Sequence, residues 1–126
     1  HLTRYAKNQP MTLGSGMKKI VALAGVYAMN PSLLILDEPT TGLHFADLEN
    51  LISICKRLTA RGNTVLMIEH NLDMIKNSDW VIDLGPEGGD SGGEILFEGN
   101  LEEIKKCKKS YTADSLRLID KYYKTA

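Results

Sequence analysis

The run Leu33-Leu34-Ile35-Leu36-Asp37-Glu38-Pro39 restricts what this chain can fold into more than any other stretch. Its aliphatic residues predict a strand buried on both faces, the pattern of a parallel sheet. Two adjacent carboxylates end the run, and Pro39, which has no N–H to give, stops the ladder from continuing. Open α/β sheets bind ligands at the carboxyl ends of their strands, so Asp37 and Glu38 sit where chemistry is expected. Side chains alternate along a strand. The two carboxylates therefore point differently, and one can help hold Mg²⁺ while the other polarises a water.

Upstream, residues His1 to Pro10 are polar and aperiodic and predict a lead-in loop. The chain starts abruptly before any core-forming strand and reads as a fragment. Thr12-Leu13-Gly14-Ser15-Gly16 is a small-residue loop, followed by a predicted helix over Met17 to Met29 with Ile20, Leu23, Ala24, Tyr27 and Ala28 on one face. Such a loop at a helix start offers backbone N–H groups to an anion, although Gly-Ser-Gly alone is a weak motif. Lys18 and Lys19 read as solvated helix residues rather than phosphate ligands.

Downstream, Ala46 to Arg61 is the clearest amphipathic helix, with Leu48, Leu51, Ile52, Cys55 and Leu58 on one stripe and Gly62 as its C-cap. Thr64 to Ile68 predicts a second buried strand, ending in Glu69-His70. Strand, helix, strand makes a right-handed βαβ crossover, which brings His70 to the sheet edge of Asp37 and Glu38. Asn71 is placed to cap a short helix over Leu72 to Lys76. Strands over Trp80 to Leu84 and Glu94 to Glu98 flank the glycine-rich run Gly85 to Gly93 and predict a hairpin. That run joins strands instead of opening a helix, which argues against a dinucleotide-binding loop. Helices over Glu102 to Lys108 and Ala113 to Tyr123 complete the chain, the second with Leu116, Ile119 and Tyr123 on one side.

With 126 residues the chain suits one modest domain. A formal charge of −1 gives no whole-chain basic footprint for nucleic acid. Nothing is long and apolar enough for a membrane span, and no signal peptide opens the chain, so a cytoplasmic location is expected. Cys55 and Cys107 show neither zinc nor redox spacing, and the three histidines show no ligand spacing, so zinc is not expected here. His44 reads as a residue shaping the turn or a subunit contact. The sequence contains no G-x-x-x-x-G-K-[ST], the loop that cradles the β- and γ-phosphates of a nucleotide. One sheet edge or apolar face is therefore expected to lie exposed.

Asp37-Glu38-Pro39-Thr40-Thr41-Gly42-Leu43-His44, with Gly62-Asn63-Thr64-Val65 and Ile68-Glu69-His70-Asn71-Leu72-Asp73, resembles an ABC-type ATPase. The narrower run Asp79-Trp80-Val81-Ile82-Asp83-Leu84-Gly85-Pro86-Glu87-Gly88-Gly89-Asp90, followed by Gly92-Gly93-Glu94-Ile95 and Glu98-Gly99, is similar to the C-terminal end of the UvrA family, the damage-sensing A subunits of the bacterial excinuclease. The resemblance covers about residues 12 to 104. It implies an α/β fold: part of one ABC ATPase domain over residues 1 to 126, with three parallel strands, a final hairpin strand, flanking helices and no Walker A part. It also implies roles. Asp37 ends the Walker B strand and helps hold Mg²⁺ through water, Glu38 polarises the attacking water, and His70 contacts the γ-phosphate. Thr41 to His44, including Gly42, form the loop that crosses between two nucleotide-binding units. Ser15 and Gly16 donate to the ATP held by the opposite unit.

The match departs from the family at that last loop. The family has Leu-Ser-Gly-Gly-Glu with an Arg three residues after the Glu, whereas this chain has Leu13-Gly14-Ser15-Gly16-Met17 and then Ile20. The resemblance implies ATP and Mg²⁺ as ligands. Its implied partners are the upstream half of the same chain, a second nucleotide-binding unit, and, through the whole parent, DNA and UvrB. The fragment alone is expected to be inactive, and the family's zinc modules lie outside it. The altered loop also motivates a paralogue with another role, such as antibiotic self-protection. A non-catalytic interaction module is a further alternative, against which Glu38 and His70 argue.

Overall fold

The structure, a computed structural model, describes residues 13–85 and 93–123. The expected lead-in loop over His1 to Pro10 and most of the run Gly85 to Gly93 lie outside the described residues, as does the side chain of Tyr123. The chain divides into two units, the first running to Glu69 and the second beginning at His70.

In the first unit, helix α1 (Ser15–Met29) leads to strand β1 (Leu33–Asp37), helix α2 (Phe45–Thr59) and strand β2 (Thr64–Ile68). Ile20 and Leu23 are the buried residues of α1, and Ala28, expected on the same face, is exposed. Asn30 ends the helix in the left-handed region at φ 48°, and Pro31 prevents its continuation. On α2 the expected stripe buries Leu48, Leu51 and Leu58. That helix closes with the Asn63 N–H donating to Leu58 O at 3.2 Å and the Gly62 N–H to Thr59 O at 2.9 Å. Gly62, at φ 86°, supplies the left-handed residue this double closure requires.

Strands β1 and β2 pair in parallel, from Leu33 opposite Thr64 to Asp37 opposite Ile68, with α2 as the crossover. The sheet does not have the two covered faces that its aliphatic composition predicts. Leu34, Leu36, Val65 and Met67 are half-buried, while Leu33, Ile35, Leu66 and Ile68 are 48–59% exposed. Within this unit α2 packs on β2 and α1 packs on α2, so the helices form one layer and leave the other side of the sheet open. The apolar face expected to be exposed is this one.

The second unit contains α3 (Leu72–Ile75), the hairpin β3 (Val81–Gly85) and β4 (Glu94–Gly99), α4 (Leu101–Ile104) and α5 (Tyr111–Tyr123). The hairpin is antiparallel, as expected, with an irregularity in register between Asp83 and Leu84. The described strands form one parallel pair, β1 with β2, and one antiparallel pair, β3 with β4. Ile104, Ala113 and Leu116 form the buried core of this unit, with Leu72, Ile75, Val81, Phe97, Leu101 and Cys107 packed against it. Thr112 Oγ1 donates to Asp83 Oδ1 at 3.2 Å, which ties α5 to the hairpin.

Candidate functional site

The site residues of the first unit gather where β1 ends. Asp37 is the last residue of the strand and exposed. Glu38 makes one more ladder-like bond, its N–H donating to Ile68 O at 3.0 Å, and then turns out of the sheet at φ 41°. A glutamate in the left-handed region is uncommon and costs of order 1 kcal/mol or more, so surrounding contacts must hold it there.

Those contacts come from a tight turn. The Thr41 N–H closes it on Glu38 O at 3.2 Å, and the Leu43 N–H donates to Thr40 O at 3.0 Å. Thr41 Oγ1 reaches Glu38 Oε2 at 3.3 Å, so the carboxylate is oriented by the loop that follows it. Gly42 continues this loop at φ 71°. His44 then serves as the N-cap of α2, its Nδ1 accepting from the Ala46 N–H at 3.4 Å. This is the turn-shaping role expected of it.

Two residues absent from the expected site join it. The Thr40 N–H donates to Glu69 Oε1 at 2.8 Å. Lys19, from α1, donates through Nζ to Thr41 O at 2.5 Å and to Pro39 O at 3.5 Å. Lys19 is half-buried and engaged with the loop, which corrects its reading as a solvated helix residue. Asp37 lies opposite Ile68 in the parallel pair, so Glu69 leaves the sheet beside Glu38.

The start of α1 meets the same region. A Cβ added at Gly16 would lie 2.7 Å from Asp47 Oδ2 and 3.4 Å from Leu43 Cδ2, so a larger residue there would displace the Asp47 carboxylate. Ser15 is exposed, and Gly14 gives α1 no side-chain cap. Ile20, which stands where the family has Arg, is 3% exposed and belongs to the core. His70 is exposed and opens the second unit. The geometry around Glu38 stands without it.

Among the described residues no group of three or more His, Cys, Asp or Glu is placed to hold a metal ion. Mg²⁺ at a nucleotide needs only one or two carboxylates, with phosphate oxygens and water supplying the remainder. The exposed carboxylate of Asp37 fits that donor set. Cys55 is not a candidate nucleophile, since burial pushes its thiol up to about 11.

Residues 8–72, just over half the chain, match a family described as an AAA domain, putative AbiEii toxin, type IV toxin–antitoxin system. UvrABC system protein A of Escherichia coli is 50% identical over 109 residues, which cover 84% of this chain. The Bradyrhizobium diazoefficiens protein of the same name is 52% identical over 114 residues, or 88% of this chain. The chain belongs to the UvrA family of ABC-type ATPases. The crystal structure of UvrA2 from Deinococcus radiodurans superposes with a TM-score of 0.73 at 41% identity over 83% of the chain. This UvrA-like chain spans 12% of the length of each of the two relatives and 13% of the UvrA2 chain. Among the described residues no helix is long and apolar enough to cross a membrane.

Proposed function

We propose that this segment supplies the hydrolytic side of an ATP site in a cytoplasmic UvrA-type protein that couples ATP turnover to recognition of damaged DNA and loading of UvrB in excision repair. The observation that carries the reading is Glu38. It is a carboxylate at the end of a parallel strand, held out of the sheet in a strained backbone and oriented by Thr41. In that position it polarises the attacking water and takes its proton. Asp37 holds Mg²⁺ through water, and the bound ion supplies charge stabilisation at the phosphate oxygens. His70 contacts the γ-phosphate. Ser15 and Gly16 present α1's first N–H groups to ATP on a second nucleotide-binding unit, and Thr41, Gly42 and His44 line the crossing between units. The phosphate cradle comes from elsewhere in the parent, so the 126 residues alone do not turn over ATP.

The test is steady-state ATP hydrolysis by a full-length chain carrying this segment, without DNA, with intact duplex and with lesion-bearing duplex. A lesion-dependent rate that Glu38→Gln lowers by roughly 100-fold or more supports the reading. Turnover indifferent to either duplex favours the second reading, a paralogue with a role outside repair. That reading draws on the Gly14-Ser15-Gly16-Met17 loop and on Ile20, a buried apolar residue where the family has arginine.

A further inference from the structure

One peptide group after Glu38 is gripped from both edges. The Pro39–Thr40 peptide turns its carbonyl toward Lys19 Nζ at 3.5 Å and its N–H toward Glu69 Oε1 at 2.8 Å. The same ammonium makes its shorter bond, 2.5 Å, to Thr41 O at the far end of the turn. A cation at the oxygen end of a peptide dipole and an anion at its hydrogen end both favour one orientation of that peptide. Pro39 is buried, and Lys19, Thr40 and Glu69 are half-buried, so water screens these bonds less than it would on an open surface. The arrangement is independent of helix α2, because its anchors come from α1 and from the residue after β2.

We propose that Lys19 and Glu69 are positioning residues for hydrolysis: together they lock the Pro39–Thr40 peptide and thereby hold Glu38 in its left-handed conformation. The proposal rests on the assignment of Glu38 as the residue that polarises water. Neither side chain needs to touch nucleotide. If the peptide turns freely, the Glu38 backbone relaxes toward a commoner region and the carboxylate leaves the position fixed by Thr41. Nucleotide binding, which depends on other groups, persists.

The experiment uses the full-length chain with Lys19→Met, Lys19→Arg, Glu69→Ala and Glu69→Gln, each followed by ATP hydrolysis and by hydrogen exchange of the segment spanning residues 38–43. Lys19→Met and Glu69→Ala are expected to lower kcat roughly 10- to 100-fold, with KM for ATP within about threefold of the parent. Glu69→Gln keeps an acceptor oxygen and Lys19→Arg keeps a cationic donor, so both restore most of the rate. Combining Lys19→Met with Glu69→Ala costs little more than the worse single change, since both release one peptide. Unchanged kcat in the two truncations overturns the proposal. So does a rise in KM at constant kcat, or an equal loss in the conservative variants. A parent chain without ATP turnover refutes the hydrolytic role of Glu38 instead. Hydrogen exchange then decides the clamp by itself: faster exchange at residues 40–41 in Glu69→Ala supports it, and unchanged exchange removes it.

Discussion

The two units begin and end their elements differently. In the second unit α3, α4 and α5 each start on a side-chain cap. Asn71 Oδ1 accepts from the Asp73 and Met74 N–H groups, Asn100 and Glu103 form a capping box, and Ser110 Oγ accepts from the Ala113 N–H at 2.9 Å. Acidic residues stand in the first turn of all three helices. Arg117 adds bonds to the carbonyls of Lys105 and Cys107, and Lys105 pairs with Asp120 at 2.8 Å. In the first unit α1 starts at Gly14 with no side-chain cap and no acid in its first turn. β1 is followed by a glutamate with positive φ, and one face of its sheet is open. The second unit caps each of these helices with a side chain, whereas the first leaves the N–H groups that open α1 without one. Stability alone does not favour the first unit's pattern. A site completed by other groups does.

The largest expected effect sets the second unit's core against the first unit's open sheet face. Leu116 is fully buried against Ile104 and Ala113, so Leu116→Ala should cost about 2–5 kcal/mol in urea unfolding of the 126-residue chain. Ile35 is 58% exposed, and Ile35→Thr in the same measurement should stay within about 0.5 kcal/mol. A cost of several kcal/mol at Ile35 would break the comparison, because it would mean that the open sheet face is covered in solution.

The element order was legible in the residues because each signal was local. The stripe from Leu48 to Leu58 gives α2, and Asn100 followed three residues later by Glu103 marks the start of α4. Which face of β1 is covered was not legible. Leu33 and Leu34 are the same residue type, and only the placement of the helices makes one exposed and the other half-buried. The gathering of Asp37, Glu38, Thr41 and His44 in one stretch after β1 was legible, because they are close in sequence. Lys19 and Glu69 were not, because their roles follow from the direction of the Pro39–Thr40 peptide, which depends on the φ of Glu38. A lysine on a helix and a glutamate after a strand have many unremarkable readings.

A smaller effect sharpens the contrast between helix starts. Asn100→Ala removes a capping box and should cost about 1 kcal/mol. Gly14→Asp should do the reverse at α1, adding a cap and a negative charge beside the helix N-terminus, for a gain of about 0.5–1 kcal/mol. If those N–H groups serve phosphate, the same Gly14→Asp change in the full-length chain lowers ATP turnover while raising the melting temperature. A gain in stability with undiminished turnover would show that the start of α1 is idle.

The smallest effect concerns the thiols, one in each unit. Both cysteines are free and half-buried. Burial raises the Cys55 pKa from 9.0 to about 11, so at pH 8 its thiolate fraction falls about one hundredfold below that of an ordinary thiol. Alkylation by iodoacetamide at pH 8, followed by peptide mapping, should therefore leave Cys55 nearly unmodified in the folded chain and label it readily in urea. The sign for stability follows from the same burial. The unfolded chain loses this proton near pH 9 while the folded chain keeps it until about pH 11, so the contribution is complete below pH 9 and declines as pH rises through that window. Rapid labelling of Cys55 at pH 8 without denaturant would mean that α2 opens readily, and would move the first unit's weakness from its site into its core.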